Sequence, residues 1–241
     1  MRVFKADLHI HSCLSPCGDI DMSPRAIVRQ GLKKGLDIIA ICDHNSAENV
    51  GAAIRAGKMA GIHVIPGLEI CSKEEVHMLA LFRNEEDALM MQDIVYNNLK
   101  GTNRPEIFGD QVVANEYDEV EGFNERLLIG ATQLNIYEIE DAIHRLNGIC
   151  VLSHVDRPSY SIISQLGFIP KDLNADAVEI SSKIKNGLRS LIHGYSILYS
   201  SDAHFLRDIG KRYTKFLISS PDLIEIDMAL KEEMGRKVLL N

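Results

Sequence analysis

Short apolar runs along this chain alternate with stretches whose apolar residues recur every three or four positions. A short run bounded by turn residues predicts a strand, and the 3.6-residue period predicts a helix buried along one side. On that basis "RVFKADLHIH" predicts a first strand and "PRAIVRQGLKKG" a helix, with Ser23 as N-cap and Pro24 in the first turn. "LDIIAICDH" predicts a buried strand, and "NVGAAIRAGKMAG" a helix that stops at a glycine. "IHVIPGLEIC" and "EVHMLALF" predict two further strands, followed by a helix over "NEEDALMMQDIVYNNL". Farther on, "IYEIEDAIHRLNG", "YSIISQLGF" and "DLIEIDMALKEEMG" predict helices, while "ICVLSHV", "ADAVEIS", "YSILYSSDAH" and "KFLIS" predict strands. Repeated strand–helix alternation builds a mostly parallel sheet with helices outside it. About seven such units, with no glycine-rich phosphate loop, favour a barrel over an open dinucleotide-binding sheet. Residues 101–136 break the rhythm: they are polar, without helical period, and only "QVVANEYDEVEG" among them predicts structure, a hairpin.

Composition narrows the picture. With 241 residues, 46% of them hydrophobic, the chain can bury a sizeable core, and residues 1–241 are read as a single barrel domain. The net charge of −8 argues against broad nucleic-acid binding and leaves room for a small anionic ligand in a locally positive pocket. No apolar run approaches membrane-spanning length, so no membrane partner is expected. The opening "MRVFKADLHIH" carries no charged-then-apolar leader, and five irregularly spaced cysteines suit reduced thiols, so a cytoplasmic location is expected. Cys42, Cys71 and Cys150 lie in apolar runs and are expected to fill core.

The candidate chemistry lies where strand runs end. His9 and His11 close the first strand; Asp43 and His44 follow the second; Glu69 ends the third; His77 lies in the fourth; then come His154, Glu179, Asp202 and His204. In a barrel such ends converge on one rim, where active sites form. Six of the nine histidines fall there, with carboxylates among them, a donor set suited to two or three divalent transition-metal ions such as zinc, manganese or iron. Asp43 and Asp7 are candidates to orient ligating imidazoles. Glu179 is a ligand, an orienting carboxylate or a surface charge, with no choice made among these. His63, His144 and His193 are read as structural or solvated, and Cys13 receives no role.

In order along the chain, "DLHIHS", "CDHNS", "PGLEI", "EVHMLALF", "LSHV" and "SDAH" resemble the motifs of the polymerase and histidinol phosphatase (PHP) superfamily. That resemblance implies a distorted (β/α)7 barrel with an inserted segment near 101–136, and metal-dependent hydrolysis of phosphoesters. It implies one ion at His9, His11, Glu69 and Asp202. Glu69 would bridge to a second at His77 and His154, and His44 and His204 would hold a third with a ligand from the loop after His11. Here the loop reads "SCLSPCGDID", with Cys17 at the equivalent spacing; Cys17, Asp19, Asp21 or water completes that site.

The expected substrate is a small phosphorylated metabolite or nucleotide, attacked by a metal-bridging hydroxide. Glu69, Asp202 and His204 are the expected catalytic residues, the last two as candidates to protonate the leaving oxygen. Arg157, Lys183 and Arg207 are candidate phosphate ligands. The alternatives are another metal-dependent hydrolase on the same barrel and a metal-binding PHP module without turnover. Oligomeric state is not legible. Residues 101–136 are expected to fold over or beside the rim and limit substrate size.

Overall fold

The computed structural model describes residues 1–182 and 186–239. Eleven strands and eight α-helices are seen among these residues. Strand β1 (Arg2–Ile10) leads to α1 (Pro24–Lys33), β2 (Ile38–His44), α2 (Val50–Ala60), β3 (His63–Cys71), β4 (His77–Leu81) and α3 (Glu85–Asn98). After α4 (Pro105–Phe108) and a separate hairpin of β5 (Val112–Ala114) and β6 (Val120–Phe123) come α5 (Ile136–Arg145), β7 (Ile149–Leu152) and α6 (Ile162–Leu166). The chain ends with β8 (Ala177–Glu179), α7 (Asn186–Leu191), β9 (Ser196–Leu198), β10 (Thr214–Ile218), α8 (Leu223–Leu230) and β11 (Lys237–Leu239). Helix ends follow local chemistry. The Ser23 hydroxyl caps α1 by accepting from Ala26 N, Pro24 opens that helix, and Gly61 ends α2 at φ +83°. The last predicted helix is shorter than expected, and β11 follows it unforeseen.

The main sheet runs β11-β10-β1-β2-β3-β4-β7-β8-β9. Its two ends approach each other, giving a nearly closed, distorted seven-stranded barrel of β1–β4 and β7–β9. Near the rim, Ile10 bridges Ala203 in parallel and His11 N donates to Ala203 O at 3.0 Å. Lower down, β10 fills the seam, pairing antiparallel with β1 from Arg2 to Ala6, and Tyr199 N donates to Thr214 Oγ1 at 2.8 Å. The expectation of a mostly parallel sheet is corrected: β4 is antiparallel to both β3 and β7, and β10 to both β1 and β11, so four of the eight pairings of the main sheet among the described residues are antiparallel. Only residues 72–76 join β3 to β4, far too few for a parallel crossover. This reversal brings His77, at the start of β4, to the rim where the parallel strands end.

Strand alternation carries the functional groups into the mouth. One apolar cluster gathers alternate strand residues, among them Ile38, Ala40 and Cys42 of β2, Leu79 and Leu81 of β4, and Ala177 of β8. Stepping by two along the same faces reaches His44, His77 and Glu179. On β1 the inward residues are Phe4, Ala6 and Leu8, whereas Ile10 joins the cluster that packs the helices outside. The β1–β2 register shifts between Asp7 and Ile10. That irregularity changes which face points inward and turns His9 and His11, not Ile10, into the mouth.

Candidate metal centre

His9, His11, Asp43, Glu69, His154 and Glu179 are all essentially buried at the rim, and His44, His77 and Asp202 nearly so. Glu69 stands at the middle. Its Oε1 lies 3.4 Å from His9 Nε2, 3.1 Å from His77 Nδ1 and 3.2 Å from His154 Nε2. Its Oε2 lies 3.5 Å from His11 Nε2 and 3.2 Å from His44 Nδ1. Asp202 Oδ1 lies 3.3 Å from His9 Nε2 and 3.1 Å from His11 Nε2. Three groups have ligand atoms within 4.8 Å of one another: His9, His11 and Asp202; His44, Glu69 and His77; and Cys17, His11, His44 and His204. The first group holds three of the four donors expected for one ion, without Glu69; the second has His44 where His154 was expected; the third holds His44, His204 and Cys17, with His11 added.

The remaining atoms of these side chains explain their orientation. His9 Nδ1 faces Glu179 Oε2 at 3.0 Å, which leaves Nε2 to face Asp202 and Glu69. His11 Nδ1 lies 3.0 Å from Ser15 Oγ, and that hydroxyl donates to Asp43 Oδ1 at 2.6 Å. Asp43 therefore steadies His11 through Ser15; it does not orient His44, the neighbour expected from sequence. Asp7 does not orient an imidazole either. Its carboxylate accepts Ser201 N and Gly210 N, each at 2.9 Å, fixing the chain that carries Asp202. The His204 ring donates from Nδ1 to Asp202 O at 2.9 Å, which leaves its Nε2 lone pair free to ligate. His154 at φ +29° and Asp202 at φ +48° adopt left-handed backbone that non-glycine residues rarely hold without reason.

The donor set fits transition-metal ions. Two donors about 2.1 Å from one ion at the tetrahedral angle stand about 3.4 Å apart, close to the separations around Glu69. His9 Nε2 and His11 Nε2 face each other at 3.1 Å, so at most one proton can lie between them. The buried Nδ1 atom of His154 has no hydrogen-bond partner among the described residues. Burial pushes the Glu69 carboxyl up, but the His77 and His9 charges and a hydrogen bond from His154 hold it well below the usual range. Burial likewise opposes ionisation of Asp202, and His9 and His11 hold it well down. Burial and the neighbouring His11 charge push His44 well down and His204 to about 4. Burial would lower His9, yet Glu179, Asp202 and Glu69 raise it well above the imidazole range. Ionised carboxylates packed against imidazoles form a strongly cation-seeking site.

A pocket of about 180 Å³ opens onto this cluster, lined also by Arg157, Ser159, Tyr160 and Ile129. Arg157 Nη1 pairs with Asp202 Oδ2 at 2.5 Å, placing its guanidinium at the mouth. Arg207 instead lies over the Phe205 ring at 4.4 Å and does not line the pocket, because the chain turns outward after His204. Lys183 lies outside the described residues. His144 is structural, paired to Glu140 and Asp176, and His63 and His193 are exposed. Cys13 packs with Val112 and Ala114 of the hairpin. Residues 101–136 sit beside the rim: Asn45 Nδ2 donates to Leu128 O and Gly130 O, at 2.7 and 2.8 Å. Sequence reasoning missed Tyr160, whose ring stacks on His77 at 4.7 Å and whose carbonyl accepts His77 N. It left Glu179 undecided, although the two-residue step from Ala177 carried the signal.

Fold and site together define a barrel domain with a buried imidazole–carboxylate cluster that could hold metal ions. The chain belongs to the PHP domain family: that family's model matches residues 7–195, and a second model, described as PHP-associated, matches residues 193–234. A 5'-3' exoribonuclease of Haemophilus influenzae is 35% identical over 80 residues, 32% of this chain and 28% of that protein. The lesion-specific endonuclease EndoQ of Pyrococcus furiosus superposes with a TM-score of 0.78 at 21% identity, covering 100% of this chain and 58% of that one. Endonuclease Q in complex with a 27-mer duplex substrate carrying an abasic lesion at the active site gives a TM-score of 0.73 at 19% identity, covering 98% and 58%. The chain thus spans well under two thirds of each of these proteins. These matches overturn the expectation of a small phosphorylated substrate without broad nucleic-acid binding. The physical reason is that a net charge of −8 describes the whole surface and not the local field at the mouth. No helix among the described residues is long and apolar enough to cross a membrane.

Proposed function

We propose that this chain is a metal-dependent phosphoesterase that hydrolyses phosphodiester bonds of nucleic acid. The observation that carries the reading is Glu69, whose two oxygens reach five imidazoles at the floor of a pocket that Arg157 overhangs. His9, His11, Asp202, Glu69, His77, His154, His44 and His204 would hold the ions. When bound, divalent ions neutralise phosphate oxygens and lower the pKa of water enough to attack at neutral pH.

The protein's own groups do the rest. Arg157, held by Asp202, presents its guanidinium to a phosphate oxygen at the mouth. Glu179 and the Ser15–Asp43 pair fix the tautomers of His9 and His11, so that their Nε2 lone pairs face the centre. His204, pushed to about 4, is neutral at pH 7 and suited to ligation more than to protonating a leaving oxygen. The nuclease matches support a polynucleotide as the substrate class.

The test is strand scission. Single-stranded RNA, single-stranded DNA, duplex DNA and duplex DNA with an abasic site are each incubated with the protein and Mn²⁺ or Zn²⁺. Cleavage of at least one polynucleotide is expected, abolished by a chelator and restored by metal. Protein with its ions bound that cleaves none of them would overturn the proposal and favour a metal-binding module without turnover.

A further inference from the structure

Two of the three groups at the rim offer nitrogen and oxygen donors alone, whereas the third adds the sulfur of Cys17. His11 and His44 are each shared with a neighbouring group, so Cys17 and His204 are the donors belonging to the third group alone. The loop bearing the thiol is tied down on both sides. Gly18 N donates to Ser15 O at 2.8 Å, and Asp19 N donates to His204 O at 2.9 Å. A side chain at Gly18 would collide with the Ser12 carbonyl oxygen, so the turn after Cys17 requires glycine. Within the loop, Asp19 Oδ1 accepts Asp21 N at 2.9 Å. Cys17 lines the same pocket as His44 and His204.

We propose that the rim holds two kinds of ion, with Cys17 selecting a thiophilic one, zinc or ferrous iron, at the outer group while the inner groups accept harder ions such as manganese. The inference rests on the reading of this rim as a metal centre. A thiolate is a soft, polarisable donor that favours zinc and ferrous iron, whereas carboxylates suit manganese and magnesium. As Sγ bonds the ion, the S–H proton passes to solvent, and no electrons are transferred. Selection would therefore lie in one side chain, with His11 and His44 serving either neighbour.

The test uses the whole chain, stripped with a chelator and reloaded. Cys17 is the exposed cysteine and the other four are buried, so alkylation reports on it directly. Zinc loading should slow alkylation of Cys17 by about tenfold or more. Cobalt(II) should give a near-ultraviolet sulfur-to-metal charge-transfer band that Cys17→Ser lacks. Excess Mn²⁺ should displace about one more zinc equivalent from Cys17→Ser than from the parent. If the parent binds ions yet alkylates equally fast with and without zinc and shows no charge-transfer band, Cys17 is not a ligand and the proposal falls alone. If the parent binds no ion, the metal reading of the rim falls with it.

Discussion

His9 Nδ1 stands 3.0 Å from Glu179 Oε2, across 170 residues of chain, and both side chains are buried at the mouth of the barrel. The contact fixes which nitrogen of His9 faces Glu69 and Asp202. The same carboxylate accepts His154 N at 3.0 Å, so one residue positions two others.

Glu179→Gln keeps the shape and loses the charge that favours a protonated Nδ1. We expect metal affinity to fall by about 10- to 100-fold, measured by competition with a chelating dye. Circular dichroism should be unchanged. Unaltered affinity would show that the contact is packing alone.

Glu69→Gln removes one strong oxygen donor at the point where the imidazoles converge. We expect loss of at least one ion and a fall in turnover of roughly a hundredfold or more. Elemental analysis beside rate measurement checks both. Full metal content with near-normal turnover would count against a bridging role.

Ile129 comes from residues 101–136 and lines the pocket, so it should limit what enters. Deleting the whole segment is a poor test, because buried Asn45 and Asn49 would lose their partners at Leu128, Gly130 and Val112. Ile129→Ala leaves those bonds in place. We expect cleavage of a bulky modified strand to rise on the order of threefold relative to an unmodified one, near the scale of one lost methylene contact. An unchanged ratio would place the segment's role elsewhere.

His144 offers a pH test away from the rim. Its hydrogen bond to Asp176 raises it, against partial burial, with help from Glu140. A raised folded pKa means that its stabilisation is fully present below about 6.5, the unfolded value, and is lost as pH rises through the folded value. His144→Gln should therefore cost about 0.5–1 kcal/mol at pH 5.5 and little at pH 9, the pair being partly exposed. Denaturant unfolding at both pH values checks this; an equal cost at both would rule out the ionic contribution.

The sequence by itself determined the strand–helix order, the caps at Ser23 and Gly61, the hairpin within residues 101–136 and the convergence of His9, His11, His44, Glu69, His154 and Asp202 on one rim. These are local matters: apolar periodicity, turn chemistry and the rule that parallel strands end on one side. His77 reads onto the same rim from sequence; only the tertiary structure decided that β4 runs backwards to bring it there, across a five-residue link too short for a crossover. Only it showed that the β1–β2 register shift turns His9 and His11 inward. It also gave Glu179 to His9, Asp43 to His11 through Ser15, and Tyr160 to His77. Those pairings join residues far apart in the chain or separated by an intervening hydroxyl, and sequence spacing carries no information about which buried donors will meet.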